Sequence, residues 1–126
     1  LNGLETALLW YDTQNPARHQ LDERVLAVLE HIDAHLDGEL DAAQLAAVAH
    51  LSPSRLSHLF TAQVGTSLAR YVEAQRLELA ARLLEMTTDP VAEVARRAGF
   101  RDPLYFSRRF RTLRGVSPSE HRARHR

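Results

Sequence analysis

Cysteine and lysine are both absent from this 126-residue chain. Without cysteine there is no disulfide and no thiolate metal ligand. Without lysine, every fixed positive charge sits on one of sixteen arginines, a bias that reads as genomic composition and lowers what any single arginine signifies. Glycine is scarce at five residues and aromatics make up only 6%, which argues against a strand- and turn-rich fold. No apolar run approaches the roughly 20 residues of a membrane span, and no basic start or small-residue cleavage pattern marks a signal peptide. A soluble, cytoplasmic protein is the default expectation. No nucleophile motif or phosphate-cradling loop is present, so neither an enzyme nor a cofactor is expected.

What is present is apolar and helical in character. Hydrophobic residues make up 44% of the chain, mostly Leu, Ala and Val. That suits one compact all-α domain with a short appendage. A start at leucine rather than methionine suggests a piece of a longer protein.

The formal charge of zero conceals a polarity. Residues 1–50 carry nine acidic residues against two arginines, net −7. Residues 51–126 carry seven against fourteen, net +7, and within 96–126 ten arginines face two acids, net +8. One end can meet a polyanion that the other repels. A merely solvated basic face is the plain alternative, and charge alone does not separate the two.

Helix starts and stops can be read along the chain. Leu1, Leu4, Leu8 and Tyr11 form a short heptad-like stripe over 1–14, too short to stand alone in water. It reads as the end of a helix whose partners are elsewhere. Residues 15–21, opening Asn15-Pro16, read as a linker. A first helix is expected from about Asp22 to Leu36, with Val25, Leu29, Ile32 and Leu36 inward and Gly38 beyond its end. A second begins near Asp41. Ser52-Pro53 opens a third, to Val64 and Gly65. Ser67 caps a long fourth over about 67–86, with Leu68, Tyr71, Val72, Gln75, Leu79 and Leu83 along it. Asp89-Pro90 opens a fifth to about residue 98, and Asp102-Pro103 a sixth to Leu113 and Gly115. The capping box Ser117-Pro118-Ser119-Glu120 opens a seventh. No segment alternates convincingly as a strand.

Two of these stretches repeat. LAAVAHLSPSRLSHLF over 45–60, followed by Gly65 and Ser67, parallels VARRAGFRDPLYFSRRF over 94–110, followed by Gly115 and Ser117. The turn is one residue longer in the second copy. Beyond it the offset is a constant 50: Ser52/Asp102, Pro53/Pro103, Ser57/Ser107, Phe60/Phe110 and Gly65/Gly115. Each copy is a helix-turn-helix plan, about 41–65 and about 89–115. Two copies in register say far more than one.

Helical periodicity separates the faces of the second helix in each unit. Leu56, Leu59, Phe60 and Val64 face in, while Ser54, Ser57, His58 and Thr61 share the outer face. In the other unit Phe106, Phe110 and Leu113 face in, and Leu104, Ser107, Arg108 and Arg111 face out. Such an outer face reaches base edges when the helix lies in the major groove. Arg108 suits a bidentate pair with guanine, His58 and the serines are versatile readers, and Leu104 can contact a thymine methyl. Asp102 is either a helix cap or an acceptor for cytosine. Arg55, Arg96, Arg97, Arg101, Arg109, Arg111 and Arg114 suit phosphates.

These strings resemble the AraC family of bacterial transcription regulators. The supporting runs are LSPSRLSHLF over 51–60, LYFSR over 104–108 with Phe110, and SPSE over 117–120 with Arg122-Ala123; the likeness covers about 22–126. The resemblance implies seven helices, two recognition helices and double-stranded DNA with direct-repeat half-sites. It places base readers at Ser54, Ser57, His58, Asp102, Leu104, Ser107 and Arg108. It also implies an activator of sugar-catabolism genes of the arabinose kind. Residues 1–12 resemble the dimerising helix that ends the family's sensor domain, so a homodimer through that absent half is expected, with RNA polymerase as a further partner. Pro103 departs from a position that is often polar in the family and removes a side-chain hydrogen bond there.

Two other readings compete. His31/His35 and His121/His125 have the four-residue spacing of helical metal ligands, but neither pair has an evident third ligand, and no metal is expected. The acidic first half also fits a protein-interaction module.

Overall fold

The computed structural model describes residues 21–126. The leucine stripe at 1–14, and the linker at 15–21 except for Leu21, lie outside the described residues. Seven helices and no strand occupy them: α1 (Glu23–Ala34), α2 (Ala42–Ala49), α3 (Pro53–Val64), α4 (Leu68–Met86), α5 (Val91–Arg97), α6 (Pro103–Arg114) and α7 (Pro118–Arg124). The fold is all-α, as expected. No helix among the described residues is long and apolar enough to cross a membrane.

The starts are set by side-chain caps that satisfy otherwise orphaned amides. Asp22 accepts from the Arg24 amide at 2.8 Å and Asp41 from the Gln44 amide at 2.8 Å. Ser52 and Ser67 each accept from the amide three residues on, at 3.2 Å. At α7 the capping box closes both ways: Ser117 Oγ accepts from the Glu120 amide at 3.1 Å, and Glu120 Oε1 from the Ser117 amide at 3.0 Å.

Two helices differ from their expected bounds. α1 ends at Ala34 rather than Leu36, with His35 leaving the helical conformation at φ −131°; the carbonyls of Leu36 and Gly38 beyond it accept from Arg76 of α4 at 2.9 and 2.7 Å. α5 begins at Val91, with Pro90 in the cap position. Asp89 does not cap it; its carboxylate accepts from Arg97 at 2.6 Å.

Apolar burial is divided between two cores. The first holds Val25, Val28, Leu29 and Ile32 of α1, Leu45, Ala46 and Ala49 of α2, Leu56 and Phe60 of α3, and Tyr71 and Val72 of α4. The second holds Leu77, Ala80, Ala81 and Leu84 of α4, Val94 and Ala95 of α5, and Phe106 and Phe110 of α6. Each fully buried large apolar side chain contributes about 1.5–3 kcal/mol. The long helix α4 therefore buries a different face at each end. Its 19 residues span about 28 Å.

The two turns share one cap. His50 and Gly99 both take the left-handed conformation, at φ 56° and 98°. The next amide then reaches back over the helix end: Leu51 N–H donates to the Ala46 carbonyl at 3.0 Å, and Phe100 N–H to the Ala95 carbonyl at 2.9 Å. The extra residue of the second turn, Arg101, pairs with Glu39 in the loop before α2. That pair is solvent-exposed and weak; the firmer tie at this junction is Arg76, which donates to the Leu36 and Gly38 carbonyls.

Candidate nucleic-acid interface

α3 and α6 present matching faces because matching residues anchor them from behind. Leu56 and Phe60 are fully buried, as are Phe106 and Phe110. That rotation leaves Ser54, Arg55, Ser57, His58 and Thr61 exposed on α3. On α6, Leu104 is 75% exposed, and Arg108 and Arg111 are exposed beside it. Ser107 is half-buried. Asp102 caps α6, its Oδ1 accepting from the Leu104 amide at 2.9 Å, and it remains solvent-exposed. Pro103 fills the first helical position.

The arginines divide by how firmly they are held. Arg108 of α6 and Arg55 of α3 are exposed, and their side chains make no hydrogen bond or ion pair with the described residues. Arg96, Arg101 and Arg111 pair with Glu93, Glu39 and Glu120 but stay 66–81% exposed. Arg97, paired with Asp89, is 43% exposed. Exposed pairs of this kind are worth at most about 1 kcal/mol, so these guanidiniums can exchange a carboxylate for a phosphate at little cost.

Arg109 and Arg114, expected at phosphates, are both held by internal ion pairs. Arg109 Nε donates to Glu73 at 2.8 Å, and Arg114 pairs with Glu78 with only 11% of its side chain exposed. Both carboxylates belong to α4, so the two arginines fasten α6 to the long helix. The reason is rotational: Phe106 and Phe110 turn toward the core, and the side chains three and four positions from them follow.

Tyr105 was not singled out by the sequence. Its hydroxyl donates to Glu73 at 2.6 Å, which makes Glu73 the shared acceptor of Tyr105 and Arg109. That hydrogen bond holds the phenol above its ordinary range, since ionisation would set two anions side by side. Its own hydrogen bond to Glu73 raises the Arg109 guanidinium. A signal existed in the chain: Tyr105 and Arg109 lie four apart, on the flank of α6 between its buried and exposed faces.

At the far end of α4, α7 and the two residues after it supply the terminal caps. Arg122 Nε donates to the Leu84 carbonyl at 3.1 Å and Arg126 to the Thr87 carbonyl at 2.9 Å. Positive groups at a helix C-terminus oppose its negative dipole end. This accounts for part of the C-terminal arginine excess without any external partner.

Comparison with known proteins agrees with this architecture. Residues 45–124 match the helix-turn-helix domain family. The chain is similar to the arabinose operon regulatory protein of Escherichia coli, at 45% identity over 98% of its length, and to that of Salmonella typhimurium, at 48% over 82%. It spans 43% and 37% of those two proteins, less than half of each. The DNA-binding domain of AdpA, solved with a target DNA, superposes with a TM-score of 0.78 at 34% identity, covering 81% of this chain and 92% of that one. The chain belongs to the AraC-type helix-turn-helix DNA-binding domains of transcription regulators.

Proposed function

We propose that this domain reads a bipartite site on double-stranded DNA, with α3 and α6 in successive major grooves of one face. The observation that carries the reading is the matched pair of exposed helix faces, each backed by two buried residues and joined by a rod of about 28 Å. One turn of duplex is roughly 34 Å, so a helix of that length sets two readers about one turn apart.

Within this reading the base edges meet Ser54, Ser57 and His58 from α3, and Leu104, Ser107 and Arg108 from α6. Arg108 is suited to guanine because its guanidinium is exposed and makes no internal ion pair with the described residues. Leu104 suits a thymine methyl, where its exposed apolar surface leaves water. Asp102 serves chiefly as the helix cap. Arg55, Arg96, Arg97, Arg101 and Arg111 hold phosphates. Arg109 and Arg114 position α6 rather than touch DNA.

The parent regulator, on this reading, is an activator of sugar-catabolism genes, with arabinose as the effector suggested by the names of its relatives. It acts as a homodimer on direct-repeat half-sites, through a segment preceding this domain, with RNA polymerase as a second partner.

In vitro selection of bound DNA from a random pool tests the reading. The expected product is a bipartite motif whose halves lie about one turn apart. A pool with no enrichment at low salt would overturn it.

A further inference from the structure

The C-terminal histidine pair has a third neighbour that sequence spacing does not reveal. His121 and His125 stand four residues apart, with their rings stacked at 4.2 Å between centroids. Glu85, 36 residues upstream near the end of α4, places its Oε2 2.7 Å from His121 Nε2. One ligand atom from each of the three lies within 4.8 Å of the other two. They line a common concavity with Arg114, Val116 and Arg124.

Hydrogen bonding prepares the donors. His125 Nδ1 lies 2.7 Å from the His121 carbonyl oxygen, which can only accept. Nδ1 therefore carries the proton, and Nε2 keeps its lone pair for a ligand. A backbone carbonyl orienting one ring nitrogen in this way is the usual outer-shell support of a metal-bound histidine. His121 is held from behind by the edge of Phe110, 5.4 Å away between centroids, and is 7% exposed. Glu85 is the adjustable member, with its side chain 35% exposed.

We propose that Glu85, His121 and His125 form a binding site for Zn²⁺ or a similar borderline divalent ion, with water in the fourth position. Two imidazoles and a carboxylate are a common zinc donor set. Ligands at about 2.0–2.1 Å from a tetrahedral ion stand roughly 3.3 Å apart. The 2.7 Å contact between Glu85 and His121 must therefore open by roughly half an ångström as the ion replaces the proton between them. Arg114 is charge-paired with Glu78, which leaves Arg124 as the opposing charge on the rim. The ion would tie α7 to the end of α4, on the side that supports α6.

The chain contains its own control. His31 and His35 repeat the geometry, with rings 4.2 Å apart and His35 Nδ1 2.8 Å from the His31 carbonyl. Among the described residues no third ligand completes that pair.

Calorimetric titration of ZnCl₂ into untagged, chelator-treated protein tests the site, paired with thermal unfolding with and without the ion. The expected result is one equivalent bound and a midpoint raised by several degrees in excess zinc. His125→Ala and Glu85→Gln, both at solvent-accessible positions, are expected to weaken binding at least tenfold; unfolding without zinc confirms that each variant folds. His35→Ala is expected to bind as the parent does. Absence of saturable binding, equal affinity in His125→Ala, or loss in His35→Ala would overturn the proposal.

Discussion

Gly99 and Arg76 meet so closely that a Cβ on Gly99 would stand 2.6 Å from the Arg76 Nε, with the Leu36 carbonyl oxygen nearer still. Gly99 closes α5, Arg76 is the middle of α4, and Leu36 follows α1. One backbone position thus lets the second helix-turn-helix unit seat against the first, while Arg76 satisfies the carbonyls of Leu36 and Gly38 from below.

Gly99→Ala is therefore expected to destabilise the domain by about 2–4 kcal/mol, combining left-handed strain with a clash against backbone. The equivalent His50 shares the conformation but is exposed. His50→Gly is expected to be neutral or stabilising by up to about 1 kcal/mol, because glycine takes that φ without strain. Urea denaturation midpoints of the two variants check the contrast; equal effects would contradict it.

Arg114→Ala and Arg108→Ala should fail in different ways. Arg114→Ala removes the least exposed cation paired with the half-buried Glu78, whose other ion pair, with Arg82 at 3.3 Å, is solvent-exposed, and should lower stability by about 2 kcal/mol. Arg108→Ala should leave stability within about 0.5 kcal/mol of the parent. In DNA binding it should lose about 1–3 kcal/mol and relax selection at one base position. Thermal unfolding and competitive band shifts, run on both variants, separate the roles.

Arg101 offers a test of phosphate grip. Its pairing with Glu39 is 81% and 63% exposed on the two sides. Arg101→Ala should flatten the slope of log affinity against log salt by about 1, for matched and unrelated DNA alike. Glu39→Gln should leave that slope or steepen it. An unchanged slope in Arg101→Ala would assign the residue to the turn alone.

Acid stability has a defined direction. Hydrogen bonds from the Arg24 side chain and amide hold the Asp22 carboxyl at about 2, below its ordinary 3.8. Arg96 and Ser117 hold Glu93 and Glu120 below their ordinary range as well. A depressed carboxyl contributes stability above its unfolded value and loses it as pH falls through its folded one. Unfolding midpoints should therefore be level from pH 7 to 5 and fall below about 4. Asp22→Asn, which retains a capping side chain, should converge on the parent between pH 4 and 2. A constant gap across that range would contradict the assignment.

Much of this was legible in the chain, for local reasons. Caps, prolines and glycines act within a few residues, so Ser52, Ser67, Asp102 and Ser117 open their helices where spacing predicts. The anchors Leu56, Phe60, Phe106 and Phe110 follow from 3.6-residue periodicity. What escaped depends on pairing across the fold. Glu73 with Tyr105 and Arg109, Glu78 with Arg114, and Glu85 with His121 are each joined over more than thirty residues. The stripe expected on α4 missed Leu77 and Leu84, because a helix shared by two cores does not bury a single face.

The central claim is that α4 holds two readers at one fixed spacing. Once a bound duplex is selected, five base pairs inserted between its two half-motifs rotate them to opposite faces of the helix. Band-shift affinity should then fall to the level of a duplex carrying one half-motif alone. Retained affinity would show that the two recognition helices do not read successive grooves as one rigid unit.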